Sequence, residues 1–313
     1  MEDFSCALFE KLGKACNQCT SDTISLSGGL DSTIIAYYLK DKKPKSVAVV
    51  AKDFEANDLV FCQLAAKEFD LPLSLLYVET SEIIEAIEKT VLILKNFNDI
   101  EIRNNVVMYL ALKWAKEIGS TGIITGDGAD ELFAGYSFLI NKTEEELEQE
   151  LKRIFSVMHF PTQKIGDALG VKVESPFLNK EIIDLALQIP PTLKVKEHQG
   201  TKYGKWILRK TFEQKIPNQI VWRQKSPMQD GAGTCNLTKL FENMITDSDF
   251  ALKKEKVKDE SSVSIRTKES MYYFEIFKKH FGIPEKSLEA SCPFCHYKTE
   301  NSKFCRMCGA WPI

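Results

Sequence analysis

Apolar positions along this chain recur with two alternating periods. Residues 3–15 carry apolar positions at helical spacing, residues 23–26 form a short apolar strand, and 34–39 return to helix. The run 46–51 is continuously apolar, as suits a strand covered on both faces of a parallel sheet. A helix over about 55–69, a strand at 73–78 and a helix over about 81–95 follow. From 104 to 119, Val106, Val107, Leu110, Ala111, Trp114, Ala115 and Ile118 share one helical face, and Gly119 ends it. A strand at 122–125 completes the alternation. The pattern predicts an α/β fold with a doubly wound parallel sheet over about residues 20–140. Helical spacing dominates afterwards, at 143–156, 179–188, 202–214, 236–246 and 268–281. This predicts a helical lobe over about 141–246, so that 1–246 forms one enzyme-sized domain. Residues 247–268, polar and rich in lysine (Lys253, Lys254, Lys256, Lys258), read as a mobile loop or linker. Residues 247–289 thus become a linker with a terminal helix, leading to a separate unit at 290–313.

Composition narrows the classes. The 313 residues are 44% hydrophobic and 27% charged, an ordinary globular balance that excludes bulk disorder. Lysine and arginine number 41 against 44 acidic residues, a net charge of -3, unlike the basic field of a protein devoted to nucleic acid. No apolar run approaches the ~18 residues that span a bilayer. The first residues lack a basic stretch followed by an apolar one. These features predict a cytoplasmic protein with no membrane contact.

Two polar, glycine-bearing loops follow predicted strands directly, at 27–33 and 125–131. In open α/β sheets that edge is where ligands bind. The first loop reads Ser-Gly-Gly-Leu-Asp-Ser-Thr. Gly28 and Gly29 let the backbone approach a phosphate, and the amides of the turn and helix start cradle the anion. Ser27, Ser32 and Thr33 add hydroxyls. Asp31 is a carboxylate beside that anion site, an arrangement that calls for an intervening Mg²⁺. The lysine of a Walker A motif is absent, so kinase or GTPase chemistry is not indicated.

Of nine cysteines, six stand in Cys-x-x-Cys pairs: Cys16/Cys19, Cys292/Cys295 and Cys305/Cys308. The last two pairs predict a tetrahedral Zn²⁺ ribbon, because about 20 residues cannot bury a useful core without a metal. Residues 251–313 carry 12 lysines and arginines against 8 acidic residues. That excess suits a docking module for RNA or a protein partner; a structural cap on the helical lobe is the alternative. Cys16 and Cys19 read as a chance pair at a helix end, and Cys6 as a core residue. No histidine stands in a metal-binding or triad pattern.

The loop at 27–32 resembles the pyrophosphate loop of ATP pyrophosphatases (the PP-loop superfamily, with an adenine nucleotide alpha hydrolase-like fold). Within it, Thr-Gly-Asp-Gly-Ala-Asp-Glu-Leu-Phe-Ala-Gly-Tyr at 125–136 is similar to the second signature of the asparagine synthetase synthase domain. Ile102, Arg103 and the residues 108–110, the segment 173–178, and the stretch from Lys205 through Trp222, Lys225, Asp230 and Gly231 resemble further family segments in the same order. The resemblance implies an enzyme that activates a carboxylate with ATP as an acyl-adenylate, releasing pyrophosphate. Ammonia then displaces AMP. It implies that Ser27, Gly28, Gly29, Asp31 and Ser32 hold pyrophosphate, and that Leu26, Val49, Thr125 and Gly126 line the nucleotide pocket. It makes Asp31 and Asp130 the Mg²⁺ ligands, Lys225 the cation at the α-phosphate and Arg103 the residue that orients a substrate carboxylate.

Two positions depart from the family pattern. Asp127 stands where the family carries Glu, close to the reacting centre, and Asn179 stands where it carries Asp. Both are expected near the substrate pocket, where they put aspartate in doubt. Position 2 is Glu, and the phosphate loop starts at residue 27, which leaves no room for a glutaminase domain. Ammonia is therefore expected free or from a glutaminase partner. Two alternatives stand beside an amide ligase: adenylation of another carboxylate or a tRNA base gripped by the ribbon, and a nucleotide-binding subunit without catalysis.

Overall fold

The computed structural model describes residues 1–52, 58–224, 237–299 and 303–313. Five parallel strands make the central sheet: β1 (Thr23–Ser25), β2 (Lys45–Ala51), β3 (Leu73–Val78), β4 (Ile123–Ile124) and β5 (Val173–Glu174). Their spatial order is β3-β2-β1-β4-β5. The chain therefore winds outward from β1 to β3, then returns to place β4 on the other side of β1. Thr23 pairs with both Lys45 and Ile123 in register. The reversal point between β1 and β4 is where a doubly wound sheet opens a ligand crevice.

Alternation along each strand sends side chains to two cores. Val47, Val49, Ala51 and Ile123 join one; Ile24, Leu26 and Ile124 join the other. The first core is covered by α4 (Thr80–Leu94) and α5 (Asp99–Glu117). The second is covered by α1 (Glu2–Gln18) and α2 (Leu30–Leu39). The expected doubly wound α/β architecture is the observed one. Helix 268–281 is found as Lys268–Phe281 and strand 73–78 as Leu73–Val78.

Three differences from the sequence reading have physical causes. The helix expected from 104 begins at Asp99, because Asn98 caps it, its side chain accepting the Glu101 N–H at 3.3 Å. The apolar stripe starts one turn later than the cap. The helix expected from 202 begins at Trp206, since 201–203 pair with 196–198 in a small hairpin. The third concerns 247–268, expected as a mobile loop or linker. Asp247–Ser261 is a helix, capped by Thr246, whose hydroxyl accepts the Asp249 N–H at 3.1 Å. It buries only Val257 and Ser261, so it lacks the apolar stripe that marks a helix in sequence. Ion pairs hold it to Lys268–Phe281: Lys253 to Glu275 and Lys278 to Glu260, each at 2.7 Å.

The cysteine ribbon is not set apart from the core. Cys292, Cys295, Cys305, Cys308, Met307 and Ala310 are buried in the same core as α4, α5 and Lys268–Phe281. The Phe97 amide donates to the Met307 carbonyl at 2.9 Å, and Arg266 donates to the Cys308 carbonyl at 3.0 Å. Among the described residues no helix is long and apolar enough to cross a membrane.

Candidate active site

Both glycine-bearing loops open onto one cavity of about 500 Å³ beyond the β1 and β4 strand ends. Ser27, Gly29, Asp31, Ser32, Val49, Thr125 and Gly126 line it, together with Asp127 and Asp130. Leu26 and Gly28 do not. Leu26 is buried in the core beneath the loop. Gly28 has φ +71°, and a Cβ there would lie 2.3 Å from the Cys62 backbone nitrogen. Gly28 thus shapes the turn from below. The Gly29 N–H donates to the Ser27 hydroxyl at 3.3 Å, and Thr33 donates to the Gly29 carbonyl at 2.7 Å. These bonds hold the start of α2 and its amides at the cavity edge.

The residue that joins the two loops is Lys205, which the sequence reading did not single out as a site residue. Only 3% exposed, it places Nζ 2.5 Å from Asp31 and 2.6 Å from Asp130. Its backbone N–H donates to the Phe133 carbonyl at 2.9 Å. Gly135 permits this closeness: a Cβ there would sit 1.9 Å from an Asp130 oxygen and 2.3 Å from Lys205 Cε. Two carboxylates from different strand ends therefore lie within reach of one cation. Asp31 Oδ1 is buried with no hydrogen-bond partner among the described residues. A pair of hard oxygen donors with a spare lone pair fits Mg²⁺.

Deeper in the site, Thr125 donates to Asp127 at 3.0 Å and lies 2.9 Å from the Ser175 hydroxyl. Burial, and the charge of Asp130, raise the Asp127 carboxyl above its ordinary pKa. Burial raises Glu131 in the same way, against the hydrogen bond it accepts from Tyr136. Arg209 and Arg223 add cations to the cavity wall. Arg209 donates to the Gly204 carbonyl at 2.8 Å, and burial lowers its pKa to about 10. Arg223 pairs with Asp58 at 2.6 Å. Lys225, Asp230 and Gly231 lie outside the described residues.

Two residues expected at or near the substrate pocket do not line the cavity. Arg103 is not among the residues that line the cavity. Its guanidinium grips Glu269 with two bonds, at 3.0 and 2.6 Å. Glu269 is 2% exposed and also accepts from Tyr273 and Thr238. The fork ties α5 to the helix Lys268–Phe281. Removing one partner of such a pair strands a buried charge. Arg103→Met is accordingly expected to lower stability by about 3–5 kcal/mol, read by urea denaturation, with ATP affinity unchanged. A variant as stable as the parent would show that the pair is not structural. Asn179 also stands outside the cavity. Its side chain accepts the Glu181 N–H at 2.9 Å and caps the helix Lys180–Gln188, a task that Asn and Asp share.

The chain matches the model of the family described as asparagine synthase over residues 14–152 and 140–281, which together span most of it. The chain belongs to the asparagine synthase family. Among curated relatives, asparagine synthetase [glutamine-hydrolyzing] 3 of Arabidopsis thaliana is 28% identical over 86% of this chain and 50% of its own length. The glutamine-hydrolysing enzyme of Triphysaria versicolor is 30% identical over 86% of this chain and 49% of its own. Asparagine synthetase B of Escherichia coli is 29% identical over 83% and 50%. The chain thus spans about half the length of these relatives. Among solved structures, an NMN synthetase from Francisella tularensis aligns over 90% of this chain at 13% identity and a TM-score of 0.40. In this member of the asparagine synthase family, the cavity lies within the matched region except for two residues, Phe304 and Arg306, which come from the ribbon.

The ribbon itself forms a second candidate site. The four thiols of Cys292, Cys295, Cys305 and Cys308 lie within 4.8 Å of one another, and all four residues are buried. Cys292 and Cys308 place their sulfurs 3.7 Å apart, Cys295 and Cys305 3.5 Å. A tetrahedral Zn²⁺ with bonds of about 2.3 Å needs sulfurs about 3.8 Å apart. The cluster fits such an ion. Cys16 and Cys19 have no such company among the described residues. Cys16 is buried in the core, where burial pushes its thiol well above the usual range, and its partner Cys19 donates to the Ala15 carbonyl. Cys6, expected as a core residue, is instead exposed.

Proposed function

We propose that the protein is an ATP-dependent, AMP-forming amide ligase that activates a small carboxylate and amidates it with ammonia. The observation that carries this reading is the convergence of the 27–32 and 125–131 loops on Lys205 at the sheet's reversal point, in a chain matching the asparagine synthase family. The loop amides and the hydroxyls of Ser27 and Ser32 bind the pyrophosphate end of ATP. Asp31 and Asp130 hold Mg²⁺, which when bound neutralises charge on the leaving pyrophosphate. Lys205, beside both carboxylates, limits their mutual repulsion. Val49, Thr125 and Gly126 contact the nucleoside.

In the first step a carboxylate oxygen of the substrate bonds to the α-phosphorus and the bond to pyrophosphate breaks. Lys225 offsets the charge that develops there. In the second step ammonia bonds to the acyl carbon, AMP leaves and the nitrogen loses a proton. Asp127 takes that proton. A carboxylate with a raised pKa is a stronger base than an exposed one. L-aspartate is the proposed substrate, and the match to asparagine synthetases supports it. The ammonia is free or delivered by a glutaminase partner, as the glutamine-hydrolysing relatives suggest. The cluster of four cysteines holds Zn²⁺. Reduced, paired thiols suit a reducing cytoplasm.

The test is direct. Protein incubated with Mg²⁺-ATP, aspartate and ammonium should form AMP, pyrophosphate and asparagine in equal amounts, and Asp31→Ala should abolish all three. ATP binding without asparagine would shift the reading to another acceptor, a second carboxylate or a tRNA base. The altered Asp127 favours testing these.

A further inference from the structure

The ribbon supplies Phe304 and Arg306 to the wall of the cavity that the 27–33 loop also lines. Its 305–308 turn is anchored on both sides: Met307 accepts from Phe97, just before α5, and Cys308 accepts from Arg266. Gly309 packs so closely on the α5 cap that a Cβ there would lie 2.6 Å from Asn98 Oδ1. Arg306, in the middle of that turn, donates to the Val157 carbonyl and lines the cavity with Phe304. The same cavity is lined by Glu101 and Asn105 of α5, and by His159 from the segment before the helix Pro161–Leu169. Glu101 and His159 both feel the Arg306 charge. The same segment carries Thr162, which hydrogen-bonds Asp127. The ribbon arginine and the reacting centre are therefore joined by four consecutive cavity residues, 159–162.

We propose that the ribbon is a wall of the acceptor site, in which Arg306 binds a second carboxylate of the acceptor, the one that is not activated. Arg306 lies between two cysteines of the cluster, so a bound metal would fix its backbone, while the bond to the Val157 carbonyl orients its guanidinium. A guanidinium fork matches a carboxylate with two parallel bonds. Glu101, close enough to feel the Arg306 charge and with one oxygen accepting from Asn96 at 2.7 Å, suits the ammonium of an amino acid. A dicarboxylic amino acid such as the L-aspartate of the proposed function carries both groups. The proposal takes from the amide-ligase reading only that the acceptor is a carboxylate.

The experiment is calorimetric titration of the full, metal-loaded chain with L-aspartate, succinate and β-alanine, each in the presence of a non-hydrolysable ATP analogue. β-Alanine keeps the ammonium and one carboxylate but lacks the second. Arg306→Ala should weaken aspartate and succinate at least about tenfold, while leaving β-alanine, the ATP analogue, metal content and melting temperature unchanged. Arg306→Lys should recover part of the loss. Equal weakening of β-alanine, unchanged aspartate affinity, or no binding of any of the three would overturn the proposal. Aspartate that binds through Arg306 but yields no AMP would remove the ligase reading and leave the wall standing. Asparagine formed equally well by Arg306→Ala would do the reverse.

Discussion

Lys205→Met is expected to abolish AMP formation and to lower the stability of the ligand-free protein by about 3–5 kcal/mol. Lys205 is nearly inaccessible and pairs with both Asp31 and Asp130. Removing the ammonium leaves two carboxylates close together in a partly dry site. Like charges so placed destabilise the fold far more than the loss of a surface pair, which is worth ~1 kcal/mol at most. Two companion measurements separate this from a simple cavity. Asp31→Asn in the same chain should recover much of the stability, because only one carboxylate then remains. Millimolar Mg²⁺ should also stabilise Lys205→Met, if Asp31 and Asp130 form the metal site. Urea denaturation of the parent, the single variant and the double variant, with and without Mg²⁺, reads both effects. Unchanged unfolding of Lys205→Met would sink the account of Lys205 as the group that joins the loops.

Removing the metal proposed for the ribbon should have the second large effect. Strong chelation is expected to lower the melting temperature by at least ~10 °C, since each kcal/mol shifts a chain of this length by roughly 1.5 °C and structural zinc supplies about 10 kcal/mol or more. Structural zinc supplies folding free energy that a segment of about 20 residues cannot raise by hydrophobic burial. Here the cysteines are also part of the α4, α5 and Lys268–Phe281 core. Loss of the metal would therefore loosen that face of the sheet as well as the ribbon. Hydrogen exchange should speed up at 303–313 and at the Phe97 amide, which donates to Met307. Metal analysis should find one zinc ion per chain. A purified protein without metal, melting unchanged by chelator, would refute both the ion and its structural role.

These expectations differ in how visible they were in the amino-acid sequence. The strand 73–78, the buried run at 46–51, the glycine turn at 27–33 and the two terminal Cys-x-x-Cys turns were legible. Each is a property of neighbouring residues: a period, a glycine turn or a ligand spacing. The doubly wound class was legible too, because alternating strand and helix admits few topologies. The helix Asp247–Ser261 was not, since ion pairs to another helix hold it rather than an apolar stripe.

The site's long-range partners were hidden for a similar reason. Lys205 meets Asp31 across 174 residues, and Arg103 meets Glu269 across 166. An arginine at a plausible motif position and one locked to a buried glutamate look alike in sequence. The same holds for Arg306, whose place in the cavity depends on how the ribbon seats on Phe97 and Asn98. Local chemistry and periodicity were determined by the sequence alone. Which charge neutralises which was decided only by tertiary packing, because the energy of a buried ion depends on distance and desolvation. Neither exists until the elements have docked.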